Sequence, residues 1–142
     1  MKRSPELTPL SHEHHQALVV AMNLKRADTL AEGQRLLEFH RSEGEHHFEI
    51  EERILLPFWI AIDGKADRDA ANRVLSEHLE LRAAVHRIEV GEVSIEDLRR
   101  IGGLLETHVR YEERELFPTI EAALSNQALA DLGAAIAAAD AA

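Results

Sequence analysis

His47-Phe48-Glu49-Ile50-Glu51-Glu52-Arg53-Ile54-Leu55-Leu56-Pro57 returns farther along the chain as His108-Val109-Arg110-Tyr111-Glu112-Glu113-Arg114-Glu115-Leu116-Phe117-Pro118. Both stretches read H-x-x-x-E-E-R-x-L-x-P, with six of eleven positions identical, so two segments are expected to do equivalent work on opposite sides of one core. Residues four apart stack on one face of a helix, which aligns His47 with Glu51 and His108 with Glu112. Each pair interrupts an apolar row: Leu98, Ile101, Leu105, His108, Glu112, Leu116 in the later stretch, and Leu36, His40, Glu43, His47, Glu51, Leu55, Phe58 in the earlier one. A carboxylate turned into an apolar core without a partner costs several kcal/mol, by order of magnitude, and tends to protonate instead. A bound cation relieves both carboxylates at once. Two hydrogen-bonded His–Glu pairs without metal are the alternative.

Outward from these stretches the pattern is helical throughout, rich in Leu, Ala, Glu and Arg and with 4% aromatic residues. Thr8 before Pro9 marks a helix start, and the spacing predicts helices over about 9–32, 34–62, 67–90 and 94–123, separated at Gly33, Asp63-Gly64 and Gly91. Ser94 is the expected cap of the fourth. Connections this short force antiparallel neighbours, giving an all-α, up-down-up-down four-helix bundle. Ser125 can cap a short C-terminal helix with Leu129, Leu132 and Ile136 inward, the other possibility for 125–142 being a frayed tail. Pro57 and Pro118 are expected to kink or end their helices. The 142 residues fit one domain, 1–142, with its core in about 8–123.

The remaining two helices also carry histidines. His78 lies on the stripe Val74, His78, Leu81, Val85, Ile88, and His14 on the stripe Leu10, His14, Ala17, Ala21, Leu24; His15, with Leu18 and Met22, offers a rival to His14. His12 and His86 fall outside these faces. The collected set is His14 or His15, His47, Glu51, His78, His108 and Glu112. Two metal ions sharing both carboxylates would each receive two imidazoles and two oxygens and keep open positions, a donor set that suits iron best, manganese less, and zinc as a substitute.

Composition narrows the field. With no cysteine there is no disulfide, thiolate zinc site or iron–sulfur cluster. A net charge of −10 without a basic cluster argues against nucleic acid, and the only long apolar stretch is alanine-rich and broken by Asp131 and Asp140, which argues against a membrane span. No apolar targeting segment follows Lys2 and Arg3, so the expected location is the cytoplasm.

From Leu10-Ser11-His12-Glu13-His14-His15-Gln16-Ala17-Leu18 through Glu43-Gly44-Glu45-His46-His47-Phe48 to Phe117-Pro118, the sequence resembles the bacterial hemerythrin-like family, the HHE cation-binding domain. The resemblance implies a four-helix bundle around a di-iron centre with a bridging oxo or hydroxo group. Glu51 and Glu112 would be the bridging carboxylates, with His14 (or His15), His47, His78 and His108 as terminal ligands. Oxygen carriers of the family place a second histidine four residues from the helix 3 ligand and use H-x-x-x-x-D on helix 4. Here Val74 and Arg82 flank His78, and helix 4 has H-x-x-x-E. These departures point away from simple oxygen carriage and toward binding of dioxygen, nitric oxide or peroxide for sensing, storage or detoxification. Glu43 and His15 are the candidates for a seventh ligand. A di-iron enzyme that decomposes peroxide or reduces nitric oxide is one alternative, with Tyr111 and Glu113 nearby, and a metal-free helical interaction module is another. Any sensing output would pass through a separate signalling partner or a homo-oligomer. Ferritin-like bundles need two Glu-x-x-His motifs and zinc peptidases H-E-x-x-H; only Glu43-Gly44-Glu45-His46 matches the first, and Gln16 spoils the second.

Overall fold

The computed structural model describes residues 2–141, which form five helices and, among the described residues, no strand. Helix α1 is Thr8–Lys25, α2 covers residues 31–62, α3 is Arg68–Glu89, α4 covers 95–123 and α5 is Asn126–Ala141. The first four close into a ring in which α1 touches α2 and α4, and α3 touches the same two. None of the five is long and apolar enough to cross a membrane.

Local chemistry accounts for most of the boundaries. Asp67 accepts from the backbone N–H groups of Asp69 and Ala70 at the start of α3, and Ser94 forms a reciprocal capping box with Asp97 at the start of α4. Gly91, at φ +77°, takes the left-handed turn that ends α3. Ser125 accepts from the Ala128 N–H, and α5 packs with Leu129, Leu132 and Ile136 buried rather than fraying.

The first boundary differs from expectation. Leu7, not Thr8, is the residue before α1, and α1 stops at Lys25 rather than near 32. The N–H groups of Arg26 and Ala27 turn back onto Asn23 and Leu24, and buried Ala27 starts a crossing to α2. Gly33 lies inside α2 and is there for closeness: a Cβ on it would meet Ile88 at 3.1 Å and Leu98 at 3.4 Å.

Nor do the two prolines end their helices. Helix α2 contains π turns at His40–Gly44 and Glu51–Leu55, and α4 contains one at Glu112–Leu116; the N–H groups of Glu45, Leu56 and Phe117 reach back five residues to His40, Glu51 and Glu112. Pro57 and Pro118 each sit in the first turn after a π turn, where the widened ladder absorbs the missing donor, and the helices run on to Ile62 and Ala123. Each π turn adds one residue, which rotates the inward face below it. Leu55, Leu56 and Trp59 are buried in α2, and Leu116, Phe117 and Ile120 in α4, while Phe58, expected inward, is only partly buried.

The apolar core divides in two. One part gathers Leu7, Leu10, Trp59, Val74, Phe117 and Leu132, the other Ala21, Leu24, Leu36, Leu81, Leu98 and Ile101. On α1, α3 and α4 the change from one part to the other falls at His14, His78 and His108–Glu112, and on α2 it falls around His47–Glu51. A polar layer is thus held between two apolar blocks.

The α1–α4 contact is close enough to depend on Gly102, where a Cβ would stand 2.7 Å from the Ala21 carbonyl oxygen and 2.8 Å from the Lys25 nitrogen. Gly102→Ala is expected to destabilise by roughly 2–3 kcal/mol, lowering Tm by about 6–10 °C. Gly103→Ala, which meets nothing within 4 Å, should instead raise stability by about 0.5–1 kcal/mol. Thermal melts of the two variants side by side check both signs.

Candidate metal centre

Six side chains from four helices meet in the polar layer. His14, His47, His78 and His108 are all buried, and Glu51 and Glu112 are 0% exposed. They form two groups of potential metal ligands, His14, His47, Glu51 and Glu112 in one and Glu51, His78, His108 and Glu112 in the other, with the ligand atoms of each group within 4.8 Å of one another. Glu51 turns Oε2 to the first group, 3.2 Å from His47 Nε2, and Oε1 to the second, 3.0 Å from His78 Nε2. Glu112 does the same, with Oε1 2.7 Å from His14 Nε2 and Oε2 3.5 Å from His108 Nε2. The Nε2 atoms of His14 and His47 are 3.1 Å apart.

These spacings fit shared ions. Both oxygens of Glu51 and of Glu112, and Nε2 of His78 and His108, are buried without a hydrogen-bond partner. Orphaned acceptors on this scale are rare in folded proteins. Donor atoms about 2.1 Å from one ion lie about 3.0–3.4 Å from each other, close to the separations here.

The other ring nitrogens are held from outside. Nδ1 of His14 donates to Glu113 at 2.7 Å, that of His47 to Glu13 at 3.0 Å, that of His78 to Glu52 at 2.7 Å and that of His108 to Glu77 at 2.7 Å. The proton is thereby fixed on Nδ1 and the Nε2 lone pair aims inward, the tautomer a metal takes. The four bonds form a directed ring, in which a glutamate of each helix holds the histidine of the next and α4 returns to α1. Each glutamate neighbours a central residue in sequence. It precedes the histidine on α1 and α3 and follows the glutamate on α2 and α4, because reversing a helix reverses the side to which a one-residue step of about 100° turns.

Burial would raise Glu52, Glu77 and Glu113, but bonds to Arg82 and His78, to His108 and Arg73, and to His14 and Ser11 hold them below the usual carboxylate range. Arg82, four residues after His78, grips Glu52 at 2.7 Å and Glu45 at 3.0 Å.

The centre wants positive charge. Burial alone would depress its imidazoles, yet the nearby Glu51 charge and the bond to Glu13 raise His47 to about 9. Contacts with Glu112, Glu113 and Glu51 raise His14 well above its ordinary value against the same burial, and Glu112 with Glu77 raises His108. Burial and the charge of Glu51 push Glu112 up. In the absence of metal, protons fill the role a cation would have.

Two sequence-based candidates stand elsewhere. His15 is exposed, one step round from the inward face, and Glu43 is exposed because the π turn at His40–Gly44 gives the inward position to Gly44. The sequence singles out Glu113 but not Glu13, Glu52, Glu77 or Arg82 as members of the site. Their signal was adjacency, since a residue one step off the inward face of a bundle helix points at the neighbouring helix. Glu113→Ala is expected to weaken metal affinity about 10–100-fold without changing the number of ions held at saturation, as measured by competition with a chromogenic chelator. An unchanged affinity would show the Nδ1 bond to be idle.

A four-helix bundle that buries two imidazole–carboxylate groups between apolar blocks defines a cation-binding protein. Residues 7–120 match the family model described as the Hemerythrin HHE cation binding domain, and the chain belongs to that family. No curated protein and no solved structure matches it.

Proposed function

We propose that the protein holds two iron ions between Glu51 and Glu112 and binds dioxygen, nitric oxide or peroxide beside them, in sensing, storage or detoxification. The observation that carries this is the sharing of both carboxylates: each offers one oxygen to His14 and His47 and the other to His78 and His108. Four nitrogen and oxygen donors per ion leave positions open in an octahedral set, which favours iron over a closed tetrahedral zinc site. When bound, the iron pair would supply electrons and open positions for a small ligand.

The chain's own residues prepare the surroundings. A cavity of about 30 Å³ adjoins His14, His47 and His108, walled mainly by Ala17, Leu36, Phe48, Leu81 and Leu105. Roughly 10–15 Å³ admits one water, so the space suits a molecule of about two heavy atoms. Its apolar walls limit competition from bulk water. Phe48 stacks on the His78 ring at 3.9 Å and Phe117 on His14 at 5.3 Å, which fixes ring planes that the Nδ1 bonds already orient.

Metal analysis and absorption spectra of iron-reconstituted protein, anaerobic and then aerobic, test the proposal. The expected result is two iron ions per chain and, on exposure to air, charge-transfer bands of an oxygen-bridged ferric pair. One ion or none, with no such bands, would overturn it.

A further inference from the structure

The two halves of the centre correspond closely except at one place. Seven residues before His108 stands Ile101, a fully buried core residue; seven before His47 stands His40. His40 opens the π turn that has no counterpart in α4, and the cavity lies on this side. Apart from the central histidines, its polar lining consists of His40 and Glu13. Glu13 is already engaged by His47.

The π turn does something specific to His40. In a regular helix a residue five positions on lies about 140° away, whereas the wider turn brings it near the same face. Glu45 thereby stands with Oε2 2.9 Å from His40 Nε2, and Arg82 of α3 holds Glu45 in place. A carboxylate there draws the ring proton to Nε2. The opposite edge, Nδ1, lies over Gly44, where a Cβ would stand only 3.1 Å from it, and Gly44 is itself part of the cavity wall. Burial holds His40 below its ordinary value, with Arg82 helping and Glu45 opposing, so the ring is neutral near pH 7.

The geometry points to His40 as a positioning residue whose Nδ1 accepts a hydrogen bond from the occupant of the cavity, and therefore to hydrogen peroxide as that occupant. Dioxygen and nitric oxide have no hydrogen to donate. The inference rests on the iron pair proposed above. In the reaction it implies, one hydrogen peroxide takes one electron from each of two ferrous ions, the O–O bond breaks, and two protons from solvent complete two waters, leaving two ferric ions.

Iron-loaded ferrous wild type, His40→Leu and His40→Gln are mixed anaerobically with hydrogen peroxide in one series and nitric oxide in another. His40→Leu is expected to be oxidised by peroxide about tenfold more slowly, the effect of one lost hydrogen bond, with nitric oxide affinity changed less than about twofold. His40→Gln, whose amide oxygen can accept, should recover most of the rate. Nitrogen-15 NMR of zinc-loaded wild type should find the His40 proton on Nε2. An unchanged peroxide rate in His40→Leu, equal slowing with both ligands, or a proton on Nδ1 would overturn the assignment. Should His40→Leu fail to fold, Glu45→Gln and the NMR result decide in the same way. Wild type that takes up no iron pair removes the function proposed above, and this inference with it, before any variant is compared.

Discussion

Glu112→Gln is expected to abolish metal binding at both positions together while leaving the metal-free fold at least as stable as before. Glu112 gives Oε1 to the pair His14 and His47 and Oε2 to the pair His78 and His108, so a neutral amide there removes a charged donor from each group at one stroke. In the metal-free protein the same carboxyl is buried beside ionised Glu51, which pushes it up. Replacing one of two crowded carboxylates with a neutral group of the same shape relieves that repulsion, by order of magnitude 1–3 kcal/mol. Metal analysis after growth in iron should therefore find a small fraction of one ion per chain, and the melt of the stripped variant should match or exceed that of stripped wild type. Retention of one full ion would show that the two groups do not depend on a shared carboxylate. Loss of metal exceeding that in Glu113→Ala is part of the same expectation, since Glu113 reaches the centre only through His14.

Stripping the metal from wild type should lower Tm by about 10–15 °C. A ligand present at a thousand times its dissociation constant stabilises by about 4 kcal/mol, and each kcal/mol is worth about 3 °C in a chain of this size. The gap should depend on pH with a definite sign. His47 is raised in the metal-free fold to about 9, so its imidazolium contributes stability that is fully present below about pH 6.5 and is lost as pH rises through about 9. Metal competes with that proton and binds more tightly as the proton leaves. Calorimetry of loaded and stripped protein should accordingly show a wider gap at pH 9 than at pH 6.5. A gap that narrows over that interval would mean that the imidazoles are not protonated in the stripped state, and no gap at all would mean that metal and fold are uncoupled.

Much of this was legible in the sequence because helices translate spacing into direction with little ambiguity. The repeat at His47 and His108, and the apolar rows that it interrupts, are enough to direct the central side chains inward. What spacing cannot register is a change in the helix itself. Regular periodicity carried the row of α2 on to Phe58, whereas the π turn at Glu51–Leu55 passed the buried position to Trp59. The π turn at His40–Gly44 likewise removed Glu43 from consideration as a ligand. Gly33 misled for a related reason: read as a helix terminator, it is a site of close approach between helices, which depends on Ile88 and Leu98 in distant parts of the chain. The role of the glutamates beside the central residues does not show in the spacing of one helix, because their partners are supplied by neighbouring helices.

Apolar packing between helices is nearly indifferent to whether the second helix is laid to the left or to the right of the first, and a sequence needs some other device to choose. The ring of Nδ1 bonds has a sense of rotation. Built as a mirror topology, the same four helices would keep every leucine contact type but turn Glu13, Glu52, Glu77 and Glu113 away from their imidazoles and toward the wrong neighbour. The polar layer thus selects the hand of the bundle as well as gathering the side chains that could hold a cation.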